Sequence, residues 1–577
     1  MTGRVTLDGE SLSVADLVRV ARNPSVRVER APETNDRIRR SEALIQEIKK
    51  KYEAEHGAYE KAGRTGDAPR TVYGVTTGFG EFKTQAIDPR DLELLQHNLL
   101  RSHSVGIGET SDRNDPSNYF GAEVVRAALV TRLNAFLKGN SGVRVRLIDI
   151  VTAMINGGII PLVPTRGSVG ASGDLCPLSH LFVTLLGEGS FYVVSNPAEI
   201  HPASELPQFL RREIRDLQDS DLAPTLKEGL ALINGANFSS GMLALAVHDA
   251  TLLVEAADTA AAFTLEVLGG RTRALDDKVH KARRHPGQSE TAARMRDLLN
   301  GSTLKNTTSE VQDAYSVRCA PQVHGASRDA IRYVAQVAEA EINAATDNPL
   351  FFPDEPQPDD DPSPAYSAGN FHGQPVALAA DFLSIAVAEL ANISERRTQM
   401  MLDNHHNRGL PASLTPLPGL NSGLMIAQYS AASLVSENKV LAHPASVDSI
   451  PTSANTEDHV SMSTHAARKL RTIVCNAQAV LAIEMLTAAQ AADWRIGMPP
   501  KDEKQKRTIE IAAAEAKDFE RVTGEWQTKI LPGLAPKLRP VYQKIRERVP
   551  PIIRDRVLDE DVRLVRQLIE SGALVRD

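Results

Sequence analysis

One stretch of the chain, Gly167 to Leu175, could build a reactive group out of its own backbone. At its centre lie Ala171, Ser172 and Gly173. Gly173 has no Cβ, so its backbone nitrogen can approach a carbonyl closely, and Ser172 carries a hydroxyl that can leave as water. Cyclisation onto the unhindered Ala171 carbonyl, followed by dehydration, gives a five-membered imidazolone with an exocyclic methylidene. That group is an electrophile, which none of the ordinary side chains provides.

The same stretch is also typical of a glycine-rich turn in front of a helix that begins near Asp174, because clusters of Gly and Ser mark loops. A serine-hydrolase elbow has a different pattern, G-x-S-x-G. In the run from Gly170 to Asp174 the second glycine comes one position too early for that elbow. From the residues alone, the triad is either an ordinary turn or the source of an electrophile.

The longer stretch GSVGASGDLCPLSH, from Gly167 to His180, resembles the prosthetic-group motif of the histidine and aromatic amino acid ammonia-lyase family. Further similar blocks run from Tyr73 to about Met462, so the resemblance covers most of the chain, and it is strongest to the histidine-specific members. It implies that Ala171-Ser172-Gly173 forms 4-methylidene-imidazole-5-one (MIO) autocatalytically and that no external cofactor is needed.

Three further blocks of the resemblance imply catalytic residues. Tyr73, in the glycine-rich loop VYGVTTGFG, corresponds to the family's general base. Asn234, in LALING, would lie beside the prosthetic group. In VQDAYSVRC, Tyr315 would contact the substrate amine and the prosthetic group, and Arg318 presents a planar donor fork suited to the substrate carboxylate. A structural ion pair is the alternative role for Arg318.

The residues implied to bind the substrate are Ser102, His103, Gln312, Phe371 and Glu457. The pair Ser102-His103 resembles histidine-specific members, whereas phenylalanine-specific members tend to carry Phe-Leu and tyrosine-specific ones His-Leu. His103 could hydrogen-bond an imidazole, although a histidine at a helix end also serves as a cap. Glu457 could pair with an imidazole, whereas its charge would be costly to bury against a phenyl ring.

A metal site is not expected. Glu457, Asp458 and His459 are adjacent in sequence, but no H-E-x-x-H or similar ligand spacing supports a cluster.

Helical spacing of apolar residues, with few strand signals, predicts a mostly α protein with a central bundle of long helices. The resemblance implies the ammonia-lyase (fumarase/aspartase-like) type of bundle. Helices are expected over 37–52, 92–102, 121–137, 144–155, 240–268, 326–346, 376–400, 464–494, 501–517, 532–548 and 559–574, and a surface loop over 55–69. The expected division is an N-terminal domain with the MIO loop (1–230), the central bundle (231–500) and a C-terminal helical tail (501–577).

The composition is that of an ordinary soluble protein, with 577 residues, 42% of them hydrophobic, and a formal net charge of -8. This charge argues against a nucleic-acid or anionic membrane surface, and no uninterrupted apolar run reaches the roughly 18 residues of a membrane span. The N-terminus has no apolar signal-peptide region, and three cysteines without C-x-x-C spacing suggest reduced thiols in the cytoplasm.

The reaction implied is non-hydrolytic removal of ammonia from an L-amino acid to give a trans-acrylate, with histidine and urocanate favoured. The same chemistry on phenylalanine or tyrosine, or a 2,3-aminomutase, is the alternative, and a catalytically inactive structural homologue is a third interpretation.

The resemblance also implies a homotetramer with sites shared between subunits. A phenol base needs a lowered pKa, and we expect positive helix ends to lower that of Tyr73.

Overall fold

The computed structural model describes residues 3–356, 363–497 and 530–575, and helices dominate these ranges. The α-helices are α1 Val14–Arg22, α2 Thr34–Lys61, α3 Leu92–His103, α4 Ala122–Leu137, α5 Val145–Asn156, α6 Leu175–Phe182, α7 Leu206–Leu210, α8 Glu228–Ile233, α9 Asn237–Val267, α10 Asp277–Arg283, α11 Pro286–Leu298, α12 Tyr315–Arg318, α13 Ala320–Ile342, α14 Gln374–Leu402, α15 Met425–Leu441, α16 Ser463–Ala492, α17 Arg539–Arg546 and α18 Asp559–Glu570. The strands are β1 Arg4–Leu7, β2 Arg27–Arg30, β3 Ile159–Pro161, β4 Ser190–Val193 and β5 Asn196–Pro202.

The strands form two small sheets. Strands β1 and β2 pair in parallel, with Arg4 opposite Arg27, and β3, β4 and β5 form an antiparallel sheet in that order. Each strand is only three to seven residues long, so an alternating pattern has little length in which to show itself. The prediction of a mostly α protein is confirmed, but it did not include these short strands.

The chain divides into two compact units. The first comprises residues 1–248, 335–381 and 444–468, and the second comprises 249–334, 382–443 and 469–577. The three-part division expected from the sequence stays a prediction.

Helix α4 is the central element of the first unit and contacts α1, α2 and α5. Every residue from Val124 to Leu137 is buried, which fits a sequence that is apolar on all sides of the helix. Two arginines, Arg126 and Arg132, are buried with them. Buried donors are costly when unpaired, and both guanidinium groups donate to backbone carbonyls of neighbouring elements.

The second unit contains a buried charged cluster between long helices. Arg397 on α14 donates to both carboxylate oxygens of Glu484 on α16, at 2.5 and 2.8 Å. Asp258 on α9 accepts from Arg328 and bonds to the ring of His324, both on α13. Arg397 also donates to the Ser316 carbonyl at 3.3 Å. The cluster therefore anchors the short helix α12, which carries two of the predicted catalytic residues.

Three long helical segments are long and apolar enough to cross a membrane, judged by length and composition alone: Asn237–Val267, Gln374–Leu402 and Ser463–Ile496. The expectation of none rested on uninterrupted apolar runs, whereas these segments combine apolar stretches with scattered polar residues. In their most apolar windows 78%, 67% and 78% of the residues are buried inside the protein. Burial against other helices accounts for their composition.

The predicted helices within the described ranges are present, and the helix expected over 501–517 lies outside these ranges. Most boundaries agree to within four residues, but α13 begins at Ala320 and not at 326, and α17 begins at Arg539 and not at 532. In addition, α2 continues to Lys61, where a loop was expected from residue 55. Gly57 is the only helix-weakening residue there, and a single glycine costs about 1 kcal/mol, which the surrounding Ala, Glu and Lys residues offset.

Candidate active site

The first unit contains a cavity of about 570 Å³ that is lined by six of the predicted site residues. These are Tyr73, Ser102, His103, Ser172, Asn234 and Glu457. They come from the loop after α2, the end of α3, the loop before α6, the end of α8 and the loop before α16. The fold thus brings together residues that are almost 400 positions apart in sequence.

The triad is held against the residues that follow α8. The Gly235 N–H donates to the Ser172 carbonyl at 3.0 Å, and the Asp174 N–H donates to the Gly235 carbonyl at 2.9 Å. Gly173 has a φ of +78°, and a Cβ there would lie 2.1 Å from the Gly235 carbonyl carbon. Only glycine fits this place, for reasons of both conformation and space. Ala171 is buried beside Val460 and Met462.

Glu457 reaches the triad directly. The Ser172 hydroxyl donates to Glu457 Oε1 at 3.3 Å, and the Thr452 hydroxyl donates to Glu457 Oε2 at 2.6 Å. The Thr452 and Glu457 backbones also bond to each other across the intervening turn. The carboxylate is thereby fixed with one oxygen facing Ser172.

His103 ends α3 with its ring orientation fixed. Its Nδ1 lies 2.9 Å from the Leu99 carbonyl, which can only accept, and 3.0 Å from the Ser102 hydroxyl, which itself donates to that carbonyl. Both contacts are satisfied when Nδ1 carries the proton. Burial lowers the pKa of His103, opposed by the Leu99 carbonyl and by the charge of Glu457. The neutral ring therefore keeps Nε2 as a hydrogen-bond acceptor.

Burial raises the pKa of Tyr73, and the nearby charge of Glu457 raises it further. The Gly80 N–H, which bonds to the phenol, opposes this shift. The expectation that helix ends lower the pKa of Tyr73 is therefore wrong for this structure. Desolvation of the phenolate outweighs the single backbone donor.

Asn234 has one half of its amide anchored and the other half unpaired. Its Nδ2 donates to the Asn348 carbonyl at 3.4 Å, whereas its Oδ1 is buried and has no partner within the described residues. A buried acceptor without a donor is unfavourable unless a ligand supplies one. This oxygen is suited to accept a hydrogen bond from an ammonium group.

The remaining predicted residues do not line this cavity. Phe371 belongs to the first unit and is half-buried next to His372. Gln312, Tyr315 and Arg318 belong to the second unit, where Gln312 and Tyr315 are exposed, Tyr315 by 71%.

Arg318 has no carboxylate partner within the part of the chain that the structure describes, so the alternative of a structural ion pair is not supported. Its guanidinium carbon lies 4.7 Å from the centre of the Tyr315 ring, and its buried Nε has no hydrogen-bond acceptor among the described residues. A cation without a carboxylate partner remains able to bind an anionic group.

Several lining and supporting residues were missed by sequence reasoning. Leu95, Asn98 and Leu99 line the cavity on the face of α3 that also carries Ser102, and a helical period counted back from that residue would have found them. Thr452, which orients Glu457, carries no such signal. His180 accepts the Gly106 N–H at 2.9 Å and holds the loop that follows His103.

All three cysteines are free, and among the described residues no group of three or more metal-ligating side chains is placed to hold an ion.

The chain is similar to known amino acid lyases and aminomutases in sequence and in structure. The sequence profile of the aromatic amino acid lyase family matches residues 12–515. A histidine ammonia-lyase of Symbiobacterium thermophilum is 44% identical over 98% of this chain and 97% of its own. The crystal structure of histidine ammonia-lyase from Trypanosoma cruzi has a TM-score of 0.79 at 37% identity, covering 99% of this chain and 94% of that one. Tyrosine aminomutase from Streptomyces globisporus has a TM-score of 0.78 at 32% identity, covering 99% and 98%.

Proposed function

This chain belongs to the aromatic amino acid lyase family, and we propose that it removes ammonia from L-histidine to give trans-urocanate. One observation carries the choice of substrate: the cavity that is lined by Ser172 and Tyr73 is also lined by His103 and Glu457, two side chains that can accept a hydrogen bond. Phenylalanine and tyrosine lyases and aminomutases are not favoured, since the relative at 44% identity is named a histidine ammonia-lyase. The free cysteines are consistent with a cytoplasmic location.

The local structure fits cyclisation of Ala171-Ser172-Gly173 to MIO. Gly173 occupies a place that no other residue fits, and Ser172 faces the cavity while its carbonyl is held by Gly235. Once formed, this prosthetic group supplies an electrophile for the amine of the substrate and so makes ammonia a better leaving group.

The side chains of the chain itself bind and orient the substrate. The Arg318 guanidinium binds the carboxylate as a planar fork, and Tyr315, which stacks beneath it, contacts the amine. The unpaired Asn234 Oδ1 accepts a hydrogen bond from the amine. Tyr73 takes the β-proton as general base, and fixed placement of base and substrate lowers the barrier.

The imidazole ring is recognised by two acceptors. His103 offers Nε2, because its Nδ1 hydrogen is committed to Leu99, and Glu457 offers a carboxylate oxygen. A ring N–H placed against Glu457 offsets the negative charge that raises the pKa of Tyr73. A phenyl ring has no N–H to donate and would leave both acceptors unpaired, which is costly in a buried site.

Replacing His103 by Leu should lower kcat/KM for L-histidine by about 10- to 100-fold, since a buried hydrogen bond to the ring is lost. The value for L-phenylalanine should fall less, so the ratio between the two substrates shifts toward the phenyl ring. Steady-state kinetics on both amino acids measure this. The matched control is His97→Leu on the same helix, whose Nε2 bonds to the Pro224 carbonyl and not to the cavity, and it should leave the ratio unchanged. Equal losses on both substrates in His103→Leu would make His103 a structural residue.

We also propose that the active enzyme is a homotetramer in which Gln312, Tyr315, Arg318 and Phe371 complete the cavity of a neighbouring subunit. Exposed apolar side chains support an assembly, since large apolar patches on a surface mark contacts. Helix α14 exposes Leu378, Phe382 and Ile385 by 46–53%, and α15 exposes Ile426 and Tyr429 by 55% and 60%.

Shared sites predict complementation between two inactive variants. Co-expression of Tyr73→Phe and Arg318→Met chains should restore activity, with a maximum at equal amounts, because some sites in mixed tetramers contain both native residues. Differently tagged chains allow mixed tetramers to be purified and assayed for ammonia release. The pair Tyr73→Phe and Ser172→Ala is the control and should restore none, because these two residues line one cavity within one chain. If mixed tetramers of the first pair form and stay inactive, the proposal of shared sites is wrong.

A further inference from the structure

Arg132, on the buried helix α4, is fully buried and lies behind the candidate active site. Its Nη1 donates to the Asn234 carbonyl at 2.5 Å. Its Nε and Nη2 have no acceptor within the described residues, and no carboxylate among those residues forms an ion pair with it. Burial lowers the pKa of this guanidinium to about 10, opposed by the charges of Asp347 and Asp174, neither of which bonds to it, so it remains charged at neutral pH. A positive charge without an ion-pair partner acts strongly on nearby dipoles in a low-dielectric interior.

The dipole that Arg132 meets is the peptide group between Asn234 and Gly235. The oxygen of this group accepts from Arg132, and its N–H donates to the Ser172 carbonyl at 3.0 Å. Hydrogen bonds in such a chain polarise one another, so a cation on the oxygen side strengthens donation on the N–H side. Two hydrogen bonds through this one peptide group thus connect the Arg132 guanidinium to the Ser172 carbonyl.

The Ser172 carbonyl is the oxygen that gains charge when the triad matures. In the first dehydration the Gly173 nitrogen bonds to the Ala171 carbonyl carbon, and the Ala171 oxygen leaves as water with the two amide hydrogens of Ser172 and Gly173. In the second, the Ser172 Cα–H proton and hydroxyl leave as water, and the Cα–Cβ double bond forms. Neither step needs an oxidant. As the Cα proton departs, its electron pair shifts toward the adjacent Ser172 carbonyl oxygen, where a strong donor stabilises it.

We propose that Arg132 is a positioning residue for this maturation and acts through the Asn234–Gly235 peptide group. It holds the Asn234 carbonyl and polarises the Gly235 N–H, which then stabilises the charge on the Ser172 oxygen. The inference rests on the proposed function, because it assumes that the triad cyclises.

The chain offers a matched control on the same helix. Arg126 is also buried and also donates only to backbone carbonyls, those of Val20 and Ile155, at 2.8–3.1 Å. Burial lowers its pKa to about 10 as well. It makes no contact with the Asn234–Gly235 peptide group. Replacement of either arginine should therefore cost stability, whereas only Arg132 should affect the triad.

The test follows the mass of the full-length chain after synthesis is stopped, because maturation removes two water molecules. Wild-type, Arg132→Met and Arg126→Met proteins are sampled over time by intact-mass spectrometry, and circular dichroism and thermal unfolding are recorded on the same samples. We expect Arg132→Met to lose the two waters at least roughly tenfold more slowly than Arg126→Met at comparable thermal stability. Equal time courses would overturn the role of Arg132.

If the methionine variants do not fold, Arg132→Lys and Arg126→Lys decide the matter, since both keep a positive charge in the helix but lose the rigid guanidinium fork. Arg132→Lys should mature more slowly than Arg126→Lys, and equal rates would overturn the proposal. A different result would contradict the proposed function. A wild-type chain that keeps both waters does not form the prosthetic group, and that result would also exclude this role for Arg132.

Discussion

Replacing Ser172 by Ala should abolish ammonia release from L-histidine, with a loss of roughly 10³-fold or more. Alanine has no hydroxyl to eliminate, so the methylidene carbon cannot form. The neighbouring Glu457 remains in place, because Thr452 still donates to its second oxygen. We therefore expect a folded protein that still binds L-histidine but does not convert it. Ammonia release, intact mass and isothermal titration of the same preparation measure the three parts of this expectation.

Ser168→Ala is the control for this substitution. Ser168 lies in the same loop, and its hydroxyl oxygen bonds to the Gly170 N–H and to the Thr464 hydroxyl. It is not among the residues that line the cavity. Loss of the Ser168 hydroxyl should lower stability modestly. The variant should still lose two waters when the triad matures. Substantial activity in Ser172→Ala would show that the chemistry does not depend on this serine.

Replacing Tyr73 by Phe should lower kcat by roughly 10²- to 10⁴-fold and change KM little, since removal of a general base affects the proton transfer and not binding. The shape of the ring is kept, and only the phenol oxygen is lost. The triad should still mature, so the mass of the variant should show the loss of two waters. This separates Tyr73→Phe from Ser172→Ala, which is inactive for a different reason.

The pH dependence gives an independent test of the same role. Burial and the charge of Glu457 raise the pKa of Tyr73, so its phenolate is scarce at neutral pH, and the wild-type rate should rise with pH across the neutral and alkaline range. Tyr73→Phe should lack this rise. Tyr192→Phe is the control, because burial also raises the pKa of Tyr192, but that residue lies in the small β3–β4–β5 sheet. A variant at residue 73 with the wild-type pH profile would exclude this tyrosine as the base.

The long helices and the Ala-Ser-Gly triad are recognisable in the sequence because both are local patterns. A triad such as Ala171-Ser172-Gly173 carries its chemistry in adjacent residues, and a helix such as α4 is recognisable from its apolar composition. The meeting of Glu457 with Ser172 is different, since it depends on the path of the chain over almost 300 residues. Only the resemblance to known blocks indicated that these residues belong to one site.

The features that escaped prediction come from tertiary surroundings. The raised pKa of Tyr73 follows from burial and from Glu457, neither of which is visible in the loop VYGVTTGFG. The tautomer of His103 follows from the Leu99 carbonyl one turn earlier on α3. Arg132 looks in the sequence like an arginine on an ordinary helix, and only the fold places it behind the Asn234–Gly235 peptide group.

The most direct test of the account is an assay of the purified wild-type protein on L-histidine, L-phenylalanine and L-tyrosine separately. Ultraviolet absorbance of the acrylate product and release of ammonia are followed together. We expect urocanate and ammonia in equal amounts from L-histidine, with little cinnamate or coumarate from L-phenylalanine and L-tyrosine. Cinnamate or coumarate as the main product would keep the elimination chemistry but contradict recognition of the imidazole ring by His103 and Glu457.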